Sequence, residues 1–438
     1  MPRPTPANLM LGLLWAAALV RIFWPHPALV AGSGVVLCAL IATVFWRIRP
    51  QIRLLCAAMG AAAAGLAFWL AGWGALWSGV EKAVIFAAFF GTLSLLRATA
   101  DARPEIARAR TLVERLGTGE RSSGFLVGAN ILGATLIVGV MAVFAPIVGR
   151  DAPYEARKSA AEACQRGMCL ACLWSPFWVA MAFSYEHLPN VPLWQVMSMG
   201  LCLSTLGLAV AQLMYTPDVG LAGLWRAARA FAPVLPPVAL ATGAVLALKA
   251  ATPLTTLQCL VVGVPVLCVV ALAAQGAASL RRGIVQAGRG IGGMRAEIAL
   301  LTFAFALGRT MEKALSGGPV AEQVAALAPP PIAVFAIVIG GMTVLAFAGI
   351  HQIVTATVAM VLFGTLPPGI ADLALMQAVL LGWAFSSMTG LSAVSVAVAG
   401  AMFGVPLEKI AYGPNVRFCL AFGAIATLVV AGVNALLV

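Results

Sequence analysis

The chain has 438 residues, 62% apolar and only 10% charged, with 27 Lys and Arg against 15 Asp and Glu for a formal net charge of +12. A soluble domain needs about 25% charged residues to cover its surface, so composition and a mean hydropathy of +1.00 exclude a water-soluble globular protein. Excess basic charge would suit a nucleic acid, but here it sits in short loops between apolar runs; the partner this pattern implies is the lipid bilayer, with no nucleic acid.

In chain order the apolar runs fall at about 9–24, 28–46, 54–77, 81–97, 123–149, 159–183, 191–214, 231–250, 255–275, 296–315, 332–363, 372–403 and 413–437. Most are near the ~20 residues that cross ~30 Å of hydrocarbon as a helix. The first run, Asn8 to Trp24, has no small-residue cleavage site and another run follows it, so it reads as a span and not as a signal peptide. Nine cysteines lie almost entirely within the runs, which suits packing residues better than a disulfide frame. Cys169 and Cys172 share a helical face, but no histidine or carboxylate completes a metal set beside them. Gly288–Gly293 lacks the Lys-Ser/Thr of a phosphate loop and reads as a loop before a helix.

The loops orient the spans. Basic residues cluster in 47–53, 97–121, 150–158, 226–229 and 281–295, whereas 184–190, 316–331 and 364–371 contain neither Lys nor Arg. Short basic loops face the cytoplasm. Run 123–149 then has a cytoplasmic loop on both sides, and run 332–363 an external loop on both sides. A simple span cannot begin and end on one face, so both are expected to be re-entrant hairpins with legs of about 12–15 residues, each roughly 20 Å long. The remaining eleven runs cross fully, placing the N-terminus inside and the C-terminus outside a bacterial-type inner membrane. The expected fold is an all-α polytopic membrane protein, with about 11 transmembrane helices plus two re-entrant hairpins in an inverted-topology repeat.

Glu81–Gly91 resembles Glu297–Gly308, and Trp174–Ala182 resembles Leu391–Ala399, both at offsets near 216. The first copy starts outside and the second inside, the arrangement of inverted-repeat transporters with broken helices. The expected division is 1–80 as added N-terminal helices, 81–215 as repeat one, 216–295 as linking helices with a basic cytoplasmic loop, and 296–438 as repeat two.

Two repeats, each with a spanning helix, an interfacial basic helix, a re-entrant hairpin, a broken helix and a closing helix, resemble the ion transporter superfamily. Within it the arrangement is similar to the divalent-anion/sodium symporter architecture. The resemblance covers about 81–437. Where that group carries Ser-Asn-Thr at each hairpin tip, the tips here read Gly128-Ala-Asn130-Ile-Leu-Gly-Ala-Thr135 and Gly349-Ile-His351-Gln-Ile-Val-Thr355. The resemblance implies an elevator mechanism, in which hairpins and broken helices slide as a block against a dimeric scaffold, and hence a homodimer.

Site candidates come from polar residues within apolar runs. Asn130 and Thr135 lie near the middle of the first expected hairpin, where helix ends would offer unpaired N–H groups to an anion; capping the turn is the other reading of Asn130. His351, with Gln352 and Thr355, is the counterpart in the second hairpin. An ionisable residue inside a membrane defaults to function, and a histidine could carry a coupling proton; the alternative is a neutral ring bonded to backbone. Ser175-Pro176 should open the helix 159–183. The matching place in repeat two is a polar string containing Ser386, Ser387, Thr389 and Ser392. Freed carbonyls and hydroxyls suit a cation or hydrated solute, and sodium is placed near Asn130, Ser175, Thr355 and Ser392; back-bonding to the helix is the competing reading. Arg309 either snorkels outward or lines an anion path.

The function expected is secondary active transport of a small anionic solute, coupled to Na+ or H+, with no other cofactor. The alternatives are a membrane-embedded enzyme acting on a lipid-linked substrate, or the membrane subunit of a multi-chain transporter. An enzyme needs converging nucleophile, base or metal groups; the chain has no His-Glu-x-x-His, and its aspartates sit at loops or helix ends.

Overall fold

The computed structural model describes residues 6–103, 111–117, 119–315, 326, 329–364 and 369–438, which are helical with no strand. The basic residues within 104–110 and most of the expected external loops 316–331 and 364–371 lie outside the described residues. Contacts divide the chain into two compact units, one of Met1–Ala102, Ala247–Ala328 and Thr357–Pro367, the other of Arg103–Leu246, Pro329–Ala356 and Pro368–Val438. The first is called the outer unit and the second the broken-helix unit.

The outer unit opens with α1 (Pro6–Phe23), α2 (Pro27–Val44), α3 (Pro50–Trp69) and α4 (Trp73–Asp101). The chain then supplies the other unit with α5 (Arg121–Leu136), α6 (Val140–Val148), α7 (Tyr154–Leu170), α8 (Val179–His187), α9 (Leu193–Tyr215) and α10 (Gly220–Phe231). Helix α11 (Leu235–Ala251) leads back to α12 (Thr256–Ala273), α13 (Ala277–Ile291) and α14 (Arg295–Leu315). Last come α15 (Pro331–Phe347), α16 (Gln352–Gly364), α17 (Asp372–Thr389), α18 (Val394–Phe403), α19 (Leu407–Ala411) and α20 (Asn415–Leu437).

Eleven segments among the described residues are long and apolar enough to cross a membrane. The set differs from the expected crossings at one place. Residues 121–148 qualify, whereas 159–183 does not, because it is split and α7 carries Glu155, Arg157, Lys158, Glu162 and Arg166. Residues 332–363 form two shorter apolar helices, α15 and α16. Two boundaries also need correction. The break expected at 78–80 falls at Leu70–Gly72, where Ala71 adopts φ 47° and the Gly72 N–H closes onto the Ala67 carbonyl. Gly288–Ile291, expected as loop, completes α13, and only Gly292–Met294 forms a tight turn.

Helix α4 is the axis of the outer unit, packed against α1, α2, α3, α12, α13 and α14. Gly79 lets it meet the backbone of Phe305 and Ala306 on α14, the small-residue contact that brings membrane helices together. The Phe86 and Phe305 rings then lie 5.1 Å apart, and Ser94 Oγ donates to the Ala287 carbonyl at 2.8 Å. Arg21 donates to Ser33 Oγ at 2.8 Å and to the Glu81 carbonyl at 3.1 Å. Arg309 bonds Ser78 and Glu312 within the same unit.

The broken-helix unit repeats one contact. Gly167 on α7 presses against the Leu126 carbonyl and the Asn130 N–H of α5, and Gly382 on α17 presses against Met342 of α15. A Cβ at Gly167 would overlap backbone, which cannot give way as a side-chain tip can. We therefore expect Gly167→Val to destabilise the protein by about 3 kcal/mol, the upper end for overpacking. Gly340→Ala, with open space around it, should leave the thermal midpoint in detergent unchanged or slightly raised.

Candidate functional site

Four helix interruptions lie in the broken-helix unit. Ile137–Gly139 separates α5 from α6, with Ile137 at φ 51°. Residues 171–178 separate α7 from α8 and contain Ser175 and Pro176. Residues 348–351 separate α15 from α16, with Gly349 at φ +82°, a conformation open to glycine without strain. Residues 390–393 separate α17 from α18.

A helix end leaves carbonyls without intrahelical partners, and inside a membrane water is not there to satisfy them. The interruptions meet this requirement for one another. The Ala134 carbonyl in the last turn of α5 accepts from Ser175 Oγ at 2.6 Å, and the Gly133 carbonyl accepts from Trp178 Nε1 at 3.0 Å. Ser175 Oγ also accepts from the Phe177 N–H at 3.3 Å. In the last turn of α17, the Ser387 carbonyl accepts from Gln165 Nε2 at 2.8 Å and from Ser395 Oγ at 2.6 Å. Ser386 Oγ donates to the Met342 carbonyl at 2.9 Å, tying α17 to α15.

The other expected site residues take local roles. Asn130 lies inside α5, seven residues before the break at Ile137, and not at a turn. Its Nδ2 donates to the Gly167 carbonyl and to Ser204 Oγ, both at 3.0 Å, which ties α5 to α7 and α9. Thr135 donates back to Leu132, Thr355 to Gln352, and Thr389 to Phe385. His351 is buried, and its Nδ1 accepts from the Ile353 N–H at 3.2 Å. It therefore caps the start of α16, and the neutral ring carries its hydrogen on Nε2. Gln352 is buried beside it.

The buried polar atoms left over are more informative. Ser392 Oγ, Trp174 Nε1, Gln165 Oε1 and Gln377 Oε1 have no hydrogen-bond partner. An unsatisfied buried polar atom costs about 1–3 kcal/mol, so each is a place where a solute, ion or water can act. Ser392 stands in the second broken helix and Trp174 in the first. Only Ser392 of these four was singled out from sequence. The two glutamines lay within runs read as apolar, and an amide in such a run was the available signal.

No protein-family model matches this sequence, and comparison with curated proteins returns no match.

Removing the Ser175 hydroxyl orphans the Ala134 carbonyl, so Ser175→Ala should lower stability by about 1–2 kcal/mol. Ser392→Ala removes a buried hydroxyl that makes no protein bond and should leave stability unchanged or raise it by about 1 kcal/mol. Thermal unfolding in detergent distinguishes the two.

Proposed function

We propose that the protein is a secondary active transporter of a small anionic solute, working by elevator-type alternating access and coupled to Na+ or H+. One set of contacts carries this reading: the ties made on either side of the segment formed by α5 and α6 favour its beginning and ending at the same end of the broken-helix unit. Glu120, just before α5, pairs with Arg226 of α10 at 2.6 Å, and Ser123 in the first turn bonds Gln212 near the end of α9. Tyr215, closing α9, donates to the Pro414 carbonyl at the start of α20. Arg157, in the first turn of α7, donates to the Phe403 and Gly404 carbonyls at 2.9 and 2.8 Å. These ties favour a common end for residues 120, 157, 226 and 404–414, and so a helix pair that re-enters where it leaves; irregular backbone at the tip of such a hairpin is tolerated only inside protein or beside a wet cavity.

Each expected repeat, 81–215 and 296–438, contributes its first helix to the outer unit and most of the rest to the other. The glycine contacts Gly167–Leu126 and Gly382–Met342 recur at near-equal spacing, which supports an internal repeat. Both features favour a fixed frame and a separate body carrying hairpins and broken helices, the division an elevator needs; a homodimer of the frame completes it. Helix starts at α8 and α18 have no side-chain cap, so their N–H groups are available to an anion. Ser392 Oγ and Trp174 Nε1 are unpartnered donors suited to an anion, while carbonyls and Gln165 Oε1 suit the coupling cation.

Protein reconstituted into liposomes should accumulate labelled succinate or sulfate when a Na+ or proton gradient is imposed. Ser392→Ala should reduce uptake about tenfold, the loss of one charge-assisted hydrogen bond, while the folded fraction stays unchanged. Absence of uptake across a panel of small carboxylates, sulfonates and inorganic oxyanions under both gradients would contradict the reading.

A further inference from the structure

A cation-lined cavity lies in the broken-helix unit, with neither Ser175 nor Ser392 in its wall. Lys158 of α7, Glu408 and Lys409 of α19, Tyr412, and Arg417 of α20 surround an open cavity of about 790 Å³ whose wall includes Phe347. Three cations face one carboxylate. Phe347 is the last residue of α15, immediately before the interruption at 348–351, and Tyr412 donates to its carbonyl at 3.3 Å. The cavity is thus open and abuts the residue that precedes the second interruption.

The wall is charged from behind as well. Asn415 sits between the lining residues Pro414 and Val416, and its Oδ1 accepts from Arg166 Nη1 at 2.7 Å. The buried Arg166 guanidinium stacks on the Tyr215 ring at 4.0 Å, and its Nε has no partner. Glu162, buried one turn before Arg166, is 4.0 Å from Lys158 and close to Gly413, whose missing side chain leaves room for the carboxylate.

We infer that this cavity is an anion-capture vestibule, in which Lys158, Lys409 and Arg417 hold a small multivalent anion before it reaches the interruption at 348–351. The inference rests on the transport reading for its purpose but not for its chemistry. The volume exceeds that of one small solute, so contact is made by charge at the walls and not by a closed fit. Attraction then grows with ligand charge and weakens with salt, because the screening length is about 8 Å at physiological ionic strength. Sulfate and succinate should therefore bind, and neutral glycerol should not. Glu408 opposes the ligand and sets the sign of a second test.

The experiment introduces Val416→Cys into full-length protein with the exposed Cys38 and Cys202 replaced by serine, in phosphatidylcholine nanodiscs at low salt. A neutral maleimide reports access to residue 416. Saturating succinate or sulfate should slow modification at least fivefold, and 0.5 M salt should remove the protection. The half-protecting concentration should rise about tenfold in Lys409→Gln and in Arg417→Gln, fall about threefold in Glu408→Gln, and stay unchanged in Arg281→Gln on α13. All of these residues but Val416 are exposed, so their replacement leaves the core intact. Equal protection by glycerol, no protection by either anion, or indifference to the three charge changes would overturn the vestibule. Protection by phosphatidylglycerol in the nanodisc with none from soluble anions would overturn it in favour of a lipid headgroup site. Anion protection in protein that transports nothing would leave the vestibule standing and remove the transport reading; uptake without protection would do the reverse.

Discussion

Everything in the broken-helix unit follows from the need to satisfy backbone carbonyls where helices stop inside an apolar environment. An exposed helix end can use water; one in hydrocarbon cannot, and each unpaired group costs several kcal/mol. Here the last turns of α5 and α17 end against hydroxyl, indole and amide donors from other elements. Ser175 and Trp178 cap α5, while Gln165 and Ser395 cap α17. The interruptions are therefore mutually dependent, and the polar residues that make them possible are also what makes them specific in position.

That dependence separates structural polar residues from available ones. Of the serines and threonines that suggested a site, Ser175 and Ser386 tie the interruptions to other helices, whereas Thr135, Thr355 and Thr389 bond back within their own helices. Buried atoms without a hydrogen-bond partner include Ser392 Oγ, Trp174 Nε1, Gln165 Oε1 and Gln377 Oε1. The proposed transport function would use both classes: a rigid scaffold of satisfied bonds around the interruptions, and a few unsatisfied groups whose partner comes and goes. The cation-lined cavity beside Phe347 adds a collecting surface at the end where basic residues gather.

The all-helical architecture and its multiplicity of apolar segments were legible in the sequence, because composition and run length report directly on burial in lipid. Runs 123–149 and 332–363 read from sequence as re-entrant hairpins; what the structure has in each is a helix interruption, at Ile137–Gly139 and at 348–351. The position of the first turn was not legible. Asn130 drew attention as a turn former, yet the chain breaks at Ile137, where nothing but tertiary contact enforces a positive φ. The turn at Ala71 was hidden for a related reason, since alanine and glycine in an apolar run carry no boundary signal. Gln165 is not legible because its bond to the Ser387 carbonyl reaches another helix, and Trp174 because spacing along one helix does not reveal that its indole N–H is buried without a partner.

The central claim is that residues 121–148 return to the face they leave. Single cysteines at Gly119→Cys, Arg150→Cys and Asn190→Cys, with Cys38 and Cys202 replaced by serine, test it in sealed, oriented vesicles with a membrane-impermeant maleimide. The account predicts that positions 119 and 150 label from one side and position 190 from the other. Labelling of 119 and 150 from opposite sides would make the segment an ordinary span and contradict the account.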